Sequence, residues 1–125
     1  MITKILPEHS DSIVKIISDS GQFDADGIEH VRTSIAEHFD NPNDAIWYVA
    51  IDDQPVGVAY CAPEAMTNGT WNLLMLWMSD GYEGRGFGKA LVDEIEKELK
   101  ARSARLLIVE TSQLPDFDAA RSFYA

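Results

Sequence analysis

The 125-residue chain is poor in the features that mark several protein classes. It has one cysteine, Cys61, so no internal disulfide can form, and His9, His30 and His38 show none of the Cys/His spacing of a zinc site. No metal site is expected. Ten Lys and Arg against twenty-one Asp and Glu leave a net charge of -11, the opposite sign to a nucleic-acid binder, so no nucleic-acid partner is expected. The longest apolar run, Leu73 to Met78, is far too short to cross a membrane, and Met1 to Pro7 turns polar too quickly for a signal peptide. These features imply no membrane partner and a reducing, cytoplasmic setting. With 46% apolar residues and only thirteen Gly and Pro, no repeat and no low-complexity tract, residues 1–125 read as one globular domain.

A short strand at Ile2, Lys4 and Leu6 stops at Pro7, after which Ile13, Val14, Ile16 and Ile17 recur at helical spacing. A second helix begins near Asp26, with Ile28, Val31, Ile35 and Phe39 on one stripe, and Asn41-Pro42-Asn43-Asp44 ends it. Ala45 to Ile51 and Val56 to Cys61 form a hairpin about Asp52-Asp53-Gln54-Pro55. Trp71 to Met78 reads as a central strand covered on both faces. From Phe87, apolar residues at Leu91, Ile95 and Leu99 fall four apart, and Asp93/Lys97 and Glu96/Lys100 suit i,i+4 pairing. Arg105 to Glu110 is a further buried strand, and Asp116 or Asp118 caps a last short helix holding Ala120, Phe123 and Tyr124. The alternation of elements implies an α/β or α+β fold with a mixed central sheet flanked by helices.

Between the central strand and the long helix lies Glu83-Gly84-Arg85-Gly86-Phe87-Gly88-Lys89. A strand that feeds a helix through glycines brings backbone N–H groups and the positive end of the helix dipole together, which suits a diphosphate. Gly84, Gly86 and Gly88 permit close approach of a ligand, while Arg85 and Lys89 add local positive charge. The spacing is neither a Walker A loop, since Glu83 takes the place of its first glycine and Ala90 that of its Ser or Thr, nor G-x-G-x-x-G. A turn whose glycines serve packing alone remains the competing reading.

Leu76-Trp77-Met78 together with Gly86-Phe87-Gly88-Lys89-Ala90-Leu91-Val92 resembles the acetyl-CoA signature of the GNAT superfamily of N-acetyltransferases, in which Q/R-x-x-G-x-G/A joins the fourth strand to the third helix. Leu106 to Thr111 followed by Ala120-Arg121-Ser122-Phe123-Tyr124 resembles the second signature, a strand ending in Glu-Thr and a helix with Ala-x-x-Phe-Tyr. The resemblance runs from about Ile2 to the last residue.

It implies acetyl-CoA as cosubstrate and an amine acceptor, either a small molecule or an exposed peptide amine, with direct transfer and no protein nucleophile. It further implies that the backbone of Leu76 and Met78 pairs with pantetheine beside a strand bulge, that Glu83, Gly84, Arg85, Gly86, Gly88 and Lys89 hold the diphosphate, and that Tyr124 protonates the departing thiolate. The residues leave the general base open between Glu110 and Glu64. The acidic surface would draw cationic acceptors.

Three departures from the family pattern stand out. Glu83 replaces the usual Gln or Arg, Phe117 replaces an Asn that contacts the cofactor in many members, and the chain ends at Ala125, before two further strands. The last implies a truncated form whose strand at Leu106 to Glu110 has an open edge, covered in a homodimer or by a partner strand. A catalytically silent CoA-binding module and a fragment needing a partner segment are the alternative readings.

Overall fold

The structure, a computed structural model, describes residues 1–40, 45–64, 69–82, 84–109 and 120–122, with side chains through residue 108. Six strands form one sheet in the order β1-β2-β3-β4-β5-β6: β1 Ile2–Lys4, β2 Ile46–Asp52, β3 Gln54–Pro63, β4 Thr70–Met78, β5 Leu106–Val109 and β6 Ala120–Ser122. Neighbours are antiparallel except β4 and β5, which run parallel. A parallel pair needs a crossover, and α3, Phe87–Ala101, supplies it. The other two helices, α1 (Ser10–Asp19) and α2 (Ala25–Asp40), precede β2.

Each face of the sheet carries its own apolar cluster, and β2 shows why its sequence serves both. Ile46, Tyr48 and Ala50 meet Leu91, Val92, Ile95 and Leu99 of α3, while Trp47 and Val49 meet Ile13, Val14 and Ile17 of α1 and Val31 and Ile35 of α2. Strand residues alternate between faces, so a strand clothed on both sides must be apolar throughout. Full burial of one such aliphatic side chain is worth about 1.5–3 kcal/mol, and the four inward residues of α3 anchor the crossover on that scale.

Turn chemistry fixes the joints. His9, almost fully buried, accepts a hydrogen bond from the Leu6 N–H at its Nδ1 (3.0 Å), closing the single 3-10 turn Pro7–His9 that leads into α1. Asp53 takes a left-handed backbone (φ 65°) in the tight β2–β3 turn, a conformation Asp tolerates better than most residues. On α3, Asp93 closes backward on Lys89 at 3.2 Å, where the sequence suggested Lys97.

Two expectations need correction. Ala120, Arg121 and Ser122 do not form a helix; they form β6, antiparallel to β5, with Leu106 opposite Ser122, Leu107 opposite Arg121 and Ile108 opposite Ala120. For that reason β5 has no open edge at Leu106 to Ile108, and the ground for expecting a partner strand or a second copy there is gone. Secondly, β4 is not covered throughout: Leu74 is 41% exposed.

Candidate functional site

The exposure of Leu74 has a backbone cause. Cys61 of β3 lies opposite Leu73 and Tyr60 opposite Met75, so Leu74 is an extra residue on β4, a bulge. One inserted residue reverses the alternation. Trp71 and Leu73 before it and Leu76 and Met78 after it all join the cluster under α3, whereas Met75 and Trp77 turn to the α1–α2 face.

Beyond the bulge the far edge of β4 is open among the described residues. Its pairing with β5 runs from Thr70–Leu106 to Leu73–Val109, and residues 74–78 have no strand partner on that side among the described residues. The Ser79 N–H donates to Val56 O of β3 at 2.8 Å, which fixes the phase of the strand. Because successive residues turn their N–H and C=O to opposite edges, Trp77 and Met75 address β3, and Met78 and Leu76 address the open side. Both side chains are buried in the core, so backbone alone is what Leu76 and Met78 offer there.

The open edge ends at the glycine turn. Gly84 (φ 76°) and Gly86 (φ 89°) adopt the left-handed conformation, and a Cβ on either would meet no atom within 4 Å. Packing therefore does not require these glycines; the backbone path does. Gly86 is the N-cap of α3 and has no side chain to cap it, so the first helical hydrogen bond is Ala90 N–H to Gly86 O at 3.0 Å. Among the described residues the N–H groups of Phe87, Gly88 and Lys89 have no acceptor within the helix and point outward at its positive end. Gly88 lies within the first turn of α3 with ordinary helical backbone.

The two cations of the turn are partly engaged. The Arg85 guanidinium sits 4.8 Å above the Tyr82 ring, itself tilted against Phe87 at 5.9 Å, and Lys89 Nζ pairs with Asp93. Both side chains are exposed, where such pairs are worth little and exchange readily for a stronger anion. Backbone N–H groups, an exposed Arg and an exposed Lys together can hold a diphosphate.

Other candidates fall differently. The Glu64 N–H bonds Thr70 O at 2.8 Å, which puts Glu64 beside the first residue of β4. At about 3.3 Å per strand residue that is about 20 Å from Leu76, too far for direct proton transfer to an amine bound there. Cys61 is fully buried, and burial pushes its thiol up to about 12, so it is no nucleophile. Glu83, Glu110, Phe117 and Tyr124 lie outside the described residues. On the α1 side, a cavity of about 310 Å³ opens between Ser12, Lys15 and Asp19 of α1 and Ser79, Asp80 and Tyr82 after β4. Among the described residues there is no cluster that could hold a metal ion, and no helix is long and apolar enough to cross a membrane.

Sequence reasoning missed Leu74 and Asn72. The only signal for either lay within Trp71 to Met78, where Asn72 interrupts an apolar string.

The fold is shared with solved structures. A GNAT-family protein from Desulfovibrio desulfuricans superposes with a TM-score of 0.81 at 22% identity, over 89% of this chain and 72% of its own. A GNAT-family acetyltransferase from Brucella melitensis, in complex with acetyl-CoA, matches at 0.72 and 17% identity over 100% and 88%. The PaiA N-acetyltransferase of Thermoplasma acidophilum, in complex with coenzyme A, matches at 0.65 and 19% over 87% and 77%. No curated protein sequence matches significantly. At these identities the likeness establishes the fold; the family rests on the sequence model of the acetyltransferase (GNAT) family, which matches residues 11–125. The chain belongs to the GNAT family of acetyltransferases.

Proposed function

We propose that the chain transfers the acetyl group of acetyl-CoA to a primary amine of a small molecule or an exposed peptide. The observation that carries this reading is the open backbone edge of Leu76 and Met78 leading to the uncapped start of α3. An extended pantetheine arm carries amides and needs a strand edge; a diphosphate needs clustered N–H donors. The reading assigns both needs to the span from Leu76 to Lys89.

In this reading the N–H groups of residues 84–89, with Arg85 and Lys89, hold the diphosphate, and Glu83 neighbours it. Leu76 and Met78 bind the pantetheine arm through their N–H and C=O groups. Acetyl-CoA supplies an activated carbonyl and a thiolate leaving group. A backbone N–H at the open edge stabilises the carbonyl oxygen as negative charge develops on it. The acceptor nitrogen forms the new C–N bond as the C–S bond breaks. The nitrogen loses its proton to water or to Glu110, and Tyr124 returns one to the sulfur.

The test is release of free CoA thiol from acetyl-CoA with 2-phenylethylamine, spermidine and a short peptide with a free N-terminus. Amine-dependent release supports the reading. CoA binding without turnover of any amine would leave a silent CoA-binding module, and no CoA binding would remove the reading altogether.

A further inference from the structure

Arg85 stands between the two left-handed glycines of the turn, Gly84 and Gly86, and its guanidinium lies 4.8 Å from the centre of the Tyr82 ring, above its face. Tyr82 is itself anchored. Its N–H donates to Ser79 O at 3.0 Å, and its ring meets that of Phe87, the first residue of α3, at 5.9 Å and 58°. Both rings are half-buried against the apolar cluster under α3. On the α1 side Tyr82 borders the cavity it shares with Ser12, Lys15 and Asp19, so it is not enclosed there.

The two cations of the turn differ in what holds them. Lys89 Nζ is engaged by a carboxylate, Asp93 at 3.2 Å, and must share or leave it to meet a phosphate. Arg85 has no carboxylate partner among the described residues. A ring holds a guanidinium through the charge distribution of its face, and the N–H groups directed away from the ring stay free for an anion. Arg85 can therefore meet a diphosphate without leaving Tyr82. An exposed Arg otherwise loses much of its rotamer freedom when it is fixed on a ligand, and a side chain already held near its bound place loses less.

Resting on the acetyl-CoA reading above, we infer that Tyr82 is a positioning residue for the cofactor: its ring holds the Arg85 guanidinium at the glycine turn, ready for the diphosphate, and does not itself touch the nucleotide. CoA affinity then depends on Tyr82 only through Arg85.

The experiment is calorimetric titration of CoA into the full chain and into Tyr82→Leu, Tyr82→Phe, Arg85→Ala and the double variant Tyr82→Leu with Arg85→Ala, each checked for folding by circular dichroism. Tyr82→Leu is expected to weaken CoA binding about 2- to 5-fold, the scale of one exposed contact between a cation and a ring. Tyr82→Phe keeps the ring and should bind like the parent, and Arg85→Ala should lose more, about 10-fold. The double variant decides: it should bind CoA as Arg85→Ala does, because the ring acts through the guanidinium alone. Equal losses from Tyr82→Leu with and without Arg85 would mean that the ring touches CoA or shapes the turn, and would overturn the inference. So would unchanged affinity in Tyr82→Leu, or a loss in Tyr82→Phe as large as in Tyr82→Leu. Tyr82→Met repeats the comparison with another apolar side chain, and failure of both the Leu and the Met variants to fold overturns the inference by making Tyr82 a structural residue. A parent chain that binds no CoA removes the acetyl-CoA reading itself.

Discussion

Leu73 of β4 and Val109 of β5 form the last rung between those strands, and the backbone of β4 beyond it has no strand partner on that side among the described residues. The opening begins at the bulge residue itself, Leu74, which kinks the strand and reverses its alternation. A single extra residue thereby keeps buried side chains under α3 on both sides of the kink while freeing an edge of backbone. The core and the candidate ligand cleft are products of the same irregularity.

Leu73 and Leu74 are chemically identical neighbours with opposite roles. Leu73 is fully buried, so Leu73→Ala should cost about 2–5 kcal/mol. Leu74 is exposed at the bulge, and Leu74→Ala should fall within about 0.5 kcal/mol of the parent. Urea unfolding of the two variants checks the contrast; equal losses would mean that Leu74 is packed.

Gly86 carries a conformational requirement and no steric one, since a Cβ there meets nothing within 4 Å. Forcing an L-residue into φ 89° costs about 1–2 kcal/mol, so Gly86→Ala should lower unfolding free energy by that amount. An unchanged stability in denaturant titration would show that the turn relaxes to another path.

The Cys61 thiol is held protonated, its pKa pushed up to about 12 by burial against an ordinary 9.0. A raised folded value means that the stabilisation is complete below the unfolded pKa and is lost as pH climbs. Stability should therefore decline between about pH 9 and 12, by up to about 1.4 kcal/mol per pH unit from this thiol. Burial also raises Tyr48 and Tyr60, in the same sense. Cys61→Ala should flatten the alkaline limb of a pH–stability curve; an unaltered limb would assign the decline to other groups. Iodoacetamide should leave the folded thiol unlabelled at pH 8.

The proposed reaction assigns protonation of the thiolate to Tyr124. General acid assistance is typically worth about 10² to 10⁴ in rate, so Tyr124→Phe should lower kcat by that factor and leave CoA affinity unchanged. Full kcat in the variant would return Tyr124 to a packing role.

The helices were legible because each buries one stripe: Ile13, Val14, Ile16 and Ile17 in α1, Val31 and Ile35 in α2, and Leu91, Ile95 and Leu99 in α3 are all inside. The β2–β3 hairpin was legible from its turn residues and β-branched runs. The bulge was not, since an inserted leucine in Leu73-Leu74-Met75-Leu76 leaves an apolar string that looks the same in either register. Ala120 to Ser122 misled for another reason. Three residues carry no periodicity, and their strand state depends on pairing with β5, which local propensity does not register. Glycine spacing pointed to the turn, but only the geometry separated a backbone requirement at Gly84 and Gly86 from a helical Gly88. Asn72 drew no separate reading within a run taken as covered on both faces, and it is indeed buried.

The most direct test of the central claim is a calorimetric titration of CoA into the parent chain and into Gly86→Val, with folding of both verified by circular dichroism. The account expects one CoA per parent chain and no measurable binding to the folded variant. Unchanged CoA affinity in folded Gly86→Val, or a parent chain that binds no CoA, would contradict it.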